Sequence, residues 1–197
     1  MMTRLDKWFG GLLLGLVILG FFFCMGWWIS FLFDLDLIAG AIGGAVFGAA
    51  ADVLVLWWLL PRLFSMKWLP LMVIYLLYSV FLYGFFMGVP VFILCMGAVA
   101  GWYIGRRSHV NGAGEPAFQK LRKRTQIWCA LVLFIACLLS AYIALSDPYT
   151  AENLTGMLSL SFALTRGMVW GIVLIGGAAL LLFQALLVRI FAKFFYR

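Results

Sequence analysis

Six long apolar runs, joined by mostly short polar connections, constrain this chain more than any other feature. They cover about residues 9–33, 37–60, 68–87, 89–104, 127–145 and 167–188. Each is compared with the ~20 residues an α-helix needs to cross a hydrocarbon core of ~30 Å. The second run is broken only by Asp52, and the fourth is short. None alternates apolar with polar residues, as the strands of a membrane β-barrel do. A chain inside hydrocarbon must satisfy its backbone hydrogen bonds internally, which for continuous runs means helices. The expected fold is all-α: a polytopic integral membrane protein, one domain built as a bundle of six transmembrane helices.

Composition agrees. Hydrophobic residues make up 66% of the 197 and charged residues 11%, against roughly 25% charged in a soluble domain. Mean hydropathy is +1.13. Too little charge is present to cover a soluble surface. A disordered chain, a disulfide-stapled secreted domain and a nucleic-acid-binding module are excluded on the same grounds. Arg4 and Lys7 resemble the start of a signal peptide, but the first run is too long for one. It leads into Trp27-Trp28 and Asp34 rather than a cleavage site of small residues, so it reads as a retained helix.

Basic residues set the orientation. With the N-terminus inside, the inner segments hold Arg4, Lys7, Arg62, Lys67, Arg106, Arg107, Lys120, Arg122, Lys123, Arg124, Arg189, Lys193 and Arg197. Only Arg166 of the 14 falls outside, beside the acidic Asp34, Asp36, Asp147 and Glu152. Both termini are therefore expected in the cytoplasm. The expected location is a cell membrane, in particular a bacterial cytoplasmic membrane. The net charge of +7 reports sidedness, not affinity for nucleic acid.

The longest inner loop, 105–126, contains Asn-Gly and Gly-Glu-Pro turn signals. Pro116 suits the first turn of a helix, and Glu115 complements its dipole. That helix should continue into the fifth run. Its cluster Lys120, Arg122, Lys123 and Arg124 is the expected surface for lipid or a partner, at roughly 1 kcal/mol per charge near anionic lipid. His109 in the loop reads as a solvated side chain. The outer segment 147–165 reads as a short interfacial helix or re-entrant piece before a bend near Arg166-Gly167, or as part of one long tilted helix.

Within the second run, Gly40, Gly44 and Gly48 recur every four residues, a glycine-zipper pattern that lets another helix backbone approach closely. Asp52 continues that row. It lies roughly 5 Å to the inner side of the span's midpoint, where an aspartate costs on the order of 3 kcal/mol. At similar depth the expected companions are Tyr75, Tyr78 and Ser79 in the third run, with Gln184 in the sixth. Gly97, Gly101 and Gly105 form a second row, read as able to dock on the first. Gly84, Gly88 and Pro90 break the helix pattern before it.

Catalytic patterns are missing: no HExxH, GxSxG or phosphate-binding loop. The single histidine excludes a bis-histidine haem and a multi-histidine zinc site. Cys24, Cys95, Cys129 and Cys137 read as small buried hydrophobes. No catalytic residue, metal or cofactor is expected, and the chain does not read as an enzyme. In size, number of runs and inward basic loops it resembles the small substrate-binding subunits of energy-coupling-factor vitamin transporters, in architecture and without a matched motif. That resemblance implies an ATPase module on the cytoplasmic side. The expected function is transport-related binding of a small solute or cation near Asp52; the alternative is a non-catalytic accessory or scaffolding membrane protein. Expected partners are the bilayer, anionic lipid headgroups at the cytoplasmic face, and a second copy or a cytoplasmic or membrane subunit.

Overall fold

A computed structural model describes residues 3–86, 88–157, 159 and 161–196. Met87 at the end of the third run, Leu158 and Leu160 of the outer segment, and the basic Arg197 lie outside the described residues. Among the described residues the secondary structure is helical throughout. The α-helices are α1 (Arg4–Leu32), α2 (Leu37–Leu59), α3 (Trp68–Phe85), α4 (Leu94–Val110), α5 (Glu115–Ser146), α6 (Thr150–Met157) and α7 (Arg166–Tyr196), with 3-10 turns at Leu60–Ser65 and Pro90–Ile93.

Local chemistry sets several of these ends. The Thr3 hydroxyl accepts from the Asp6 backbone N–H at 3.2 Å while the Asp6 carboxylate accepts from the Thr3 N–H at 2.9 Å, a reciprocal capping box at the head of α1. Asp36 caps α2 by accepting from the N–H groups of Ile38 and Ala39. Pro116 sits in the first turn of α5, where its missing N–H costs nothing. That helix runs unbroken from the basic loop through the fifth apolar run. Pro90 opens a 3-10 turn rather than the fourth span itself. The α-helix begins only at Leu94 and continues past Arg106 and Arg107 to Val110. Between α5 and α7, α6 is a separate helix, and α7 starts at Arg166.

Among the described residues, five stretches are long and apolar enough to cross a membrane: Asp6–Leu32, Leu37–Ser65, Trp68–Phe85, Glu115–Ser146 and Arg166–Tyr196. Between 11% and 22% of each apolar window is buried inside the protein. A chain of this composition with its apolar faces turned outward has hydrocarbon as its solvent, which marks a multi-pass membrane protein. The α4 helix, with 17 residues, falls short of that length.

The chain forms two compact units, one through Trp68 and one from Leu69. In the first, α2 packs along α1, backbone to backbone. A Cβ built on Gly44 would stand 2.2 Å from the Phe22 carbonyl oxygen, and one on Gly26 would stand 2.2 Å from that of Gly40. Gly40 also leaves room for the buried Ser30.

In the second unit, α4 lies along α7 and α5 packs against both. The row Gly97, Gly101 and Gly105 is filled by α7: by Gln184, by Val188 with Phe191 and Ala192, and by Ala192 with Phe195. The expectation that the two glycine rows dock on each other is thus corrected, because each already holds a neighbour in its own unit. Ile93, Leu133 and Ala136 form a small core under the 3-10 turn. Next to it, the Ser140 hydroxyl lies 2.6 Å from the Gly88 carbonyl and 3.1 Å from the Tyr83 hydroxyl. Gly88 has φ +81°, a left-handed conformation that suits a residue without a Cβ.

Candidate functional site

Asp52 belongs to the first unit. It is half-buried, and a Cβ on Gly15 would stand 2.9 Å from its Oδ2. The absent side chain of Gly15 on α1 therefore makes the space in which the carboxyl group sits. The Asp52 Oδ1 atom is covered by protein, yet it has no hydrogen-bond partner among the described residues. A carboxylate with an unused oxygen, on a helix long enough to span the bilayer, can accept a proton or coordinate a cation.

Tyr75, Tyr78, Ser79 and Gln184 belong to the second unit, where all four are buried. Three of them converge. The fully buried Gln184 donates through Nε2 to the Tyr75 hydroxyl at 2.7 Å. Ser79 donates back to the Tyr75 carbonyl at 2.8 Å, the usual way a helix absorbs a serine hydroxyl. Cys129 of α5 lies close to the Tyr75 phenol. Gly97 of α4 closes the group, since a Cβ there would stand 2.9 Å from the Gln184 Oε1. Four helices, α3, α4, α5 and α7, thus meet around one glutamine.

The Gln184 Oε1 has no hydrogen-bond partner among the described residues. Exchanging the amide oxygen and nitrogen does not cure this, because one end faces Gly97 either way. The cluster offers an amide, a phenol and a thiol, all neutral hydrogen-bonding groups.

Two members of this cluster were hidden in the sequence. Cys129 read as a small apolar residue, and Gly97 as part of a packing row. Gln184 carried the signal that could have found them, since an amide inside an apolar run needs neighbours to hydrogen-bond or to make room for it.

The basic cluster on α5 divides. Lys120, Lys123 and Arg124 are exposed, whereas Arg122 is half-buried with its guanidinium 5.9 Å from the Phe118 ring centroid. His109 is near a backbone acceptor, with Nδ1 3.2 Å from the Tyr196 carbonyl oxygen. Among the described residues no group of three or more His, Cys, Asp or Glu side chains is placed to hold a metal ion. Compared with known protein families, curated proteins and solved structures, the chain matches none.

Proposed function

We propose that this chain is a transport-related integral membrane protein that binds a small cation or solute at an intramembrane site centred on Asp52. It has six spans in this reading, with α4 and its preceding 3-10 turn as the short fourth, and both termini on the cytoplasmic side of a cell membrane. The observation that carries the reading is the Asp52 carboxyl group itself: half-buried in the notch left by Gly15, with a covered and unused Oδ1. An acid at this depth costs on the order of 3 kcal/mol. A purely structural aspartate recovers that cost through hydrogen bonds to neighbouring helices, and Oδ1 makes none among the described residues.

The test is cation uptake into proteoliposomes holding the full chain. Proton, Na⁺ and K⁺ gradients are imposed in turn and read with an internal pH dye or isotope counting. Asp52→Asn is isosteric and removes the charge, so it should abolish the flux while the protein still elutes as a folded species. A flux that survives in Asp52→Asn defeats the assignment.

The rival reading is a non-catalytic accessory or scaffolding protein. The filled glycine rows and the closed Tyr75–Gln184 pair favour it. It predicts no flux for any of the three ions with the native chain.

A further inference from the structure

The buried stripe of α5 contains one cation. Phe118, Thr125, Cys129, Val132, Leu133 and Ala136 are buried along that helix, and Arg122 falls on the same face, four residues after Phe118 and three before Thr125. Its Nε and Nη1 atoms are covered by protein, with no hydrogen-bond acceptor among the described residues. The Thr125 hydroxyl is in the same state.

Packing of α5 on α7 adds further positive charge. The Gln126 side chain donates to the Ala185 carbonyl at 3.0 Å, and Phe118 stacks on Tyr196 with ring centroids 4.0 Å apart. The two helices are therefore antiparallel here, and Arg122, midway between Phe118 and Gln126, is level with about residue 190 of α7. Arg189 flanks that level. It shares a row with Ala185, and Lys193 continues the row one turn further. From Leu69 onward the acidic residues are Glu115, Asp147 and Glu152. Glu115 takes the amide of Gln119 as its partner, and the other two stand beyond the opposite end of α5. Arg122 turns donors inward, the exposed Arg189 and Lys193 add charge on the neighbouring helix, and among the described residues of this unit no carboxylate is paired with them, an arrangement that calls for an anion.

Depth and surroundings identify its class. Arg122 lies five residues, roughly 7 Å, before Ile127 where the apolar run begins, within the headgroup layer that flanks the hydrocarbon. On the same two helices Ile127, Ile190 and Phe194 are exposed, at 71%, 57% and 73%. They offer the apolar surface that acyl chains require. We propose that the basic end of the α5–α7 seam is a built seat for one anionic phospholipid. Its phosphate accepts from the Arg122 guanidinium, and Arg189 and Lys193 supply further charge. This seat is independent of the Asp52 reading.

Native mass spectrometry of the full chain in detergent, titrated with dioleoyl phosphatidylglycerol, tests it. Dioleoyl phosphatidylcholine and inorganic phosphate serve as the other arms. Losing two charge-assisted hydrogen bonds should weaken phosphatidylglycerol binding about a hundredfold in Arg122→Gln, against about fivefold for removal of the exposed charge in Lys123→Gln. Arg122→Lys keeps the charge but loses the planar fork, and should weaken binding about tenfold. It also decides the matter should Arg122→Gln not fold, because a diffuse basic surface predicts no change for it. Unaltered binding by Arg122→Lys overturns the seat, as does equal loss in the two glutamine variants. Equal binding of phosphatidylcholine overturns the anionic requirement. Displacement by millimolar inorganic phosphate overturns the lipid as its source.

Discussion

Replacing Gly44 by alanine tests the packing of the first unit at one of its tightest backbone contacts. The new Cβ would stand 2.2 Å from the Phe22 carbonyl oxygen and 3.2 Å from the Gly26 Cα, both backbone atoms that no rotamer can move aside. Real Cβ contacts essentially never fall below 3.0 Å, so α1 and α2 must separate by about 0.8 Å, the difference between 2.2 and 3.0 Å. A gap of that size forfeits roughly a quarter to a half of each dispersion well along the seam. With the usual cost of overpacking, the loss is about 2 kcal/mol. Gly43, one residue away, has nothing within 4 Å of its would-be Cβ. Alanine there gains up to ~1 kcal/mol of helix propensity. That gain is common to both changes and cancels between them, so the two single-methyl variants should differ by about 2 kcal/mol, or of order 4–8 °C in melting temperature. Thermal melts of the full chain in mild detergent, followed by tryptophan fluorescence, measure the difference. Trp8, Trp27, Trp28, Trp57, Trp58 and Trp68 all fall within the first unit, so the signal is weighted to the right helices. Equal melting of the Gly43 and Gly44 variants would refute the backbone contact.

Two further outcomes concern the second unit. Ser140→Ala removes the hydroxyl shared by the Gly88 carbonyl and the Tyr83 phenol. It should cost about 1–2 kcal/mol in the same melts, while Ser140→Thr, which keeps the hydroxyl, should recover part of the loss. Gln184→Met leaves Tyr75 without its amide donor and should cost about 1–2 kcal/mol, whereas Gln184→Met combined with Tyr75→Phe removes both partners and should return close to the native melting temperature. A double variant as unstable as the sum of its parts would contradict the pairing.

Much of the fold was legible because hydrocarbon imposes simple rules. Continuous apolar length located the helices, and Pro116 marked the start of α5 by the geometry of its ring. The caps of α1 and α2 were not read in advance: Thr3 with Asp6, and Asp36, act through local hydrogen bonds, whereas at Asp36 charge alone suggested a topology marker. What could not be read was partnership. Glycine rows state that a helix will be approached closely but carry no address: Gly97, Gly101 and Gly105 could have faced any flat surface, and α7 takes them. The same holds for the polar cluster. Depth brought Tyr75, Ser79 and Gln184 together on paper, but only packing brought Cys129 and Gly97 to them. Arg122 looked like its exposed neighbours because a run of basic residues hides which member turns inward.

The seam between α1 and α2 bears on how the protein is made. Along it, Gly26, Gly40, Gly44 and Gly48 have no rotamers to freeze, so docking there incurs almost no side-chain entropy loss. Both limbs come from the first third of the chain, and the loop between them is only the four residues 33–36. The hairpin can therefore zip as soon as its second limb enters the bilayer, while the remaining helices are still being synthesised.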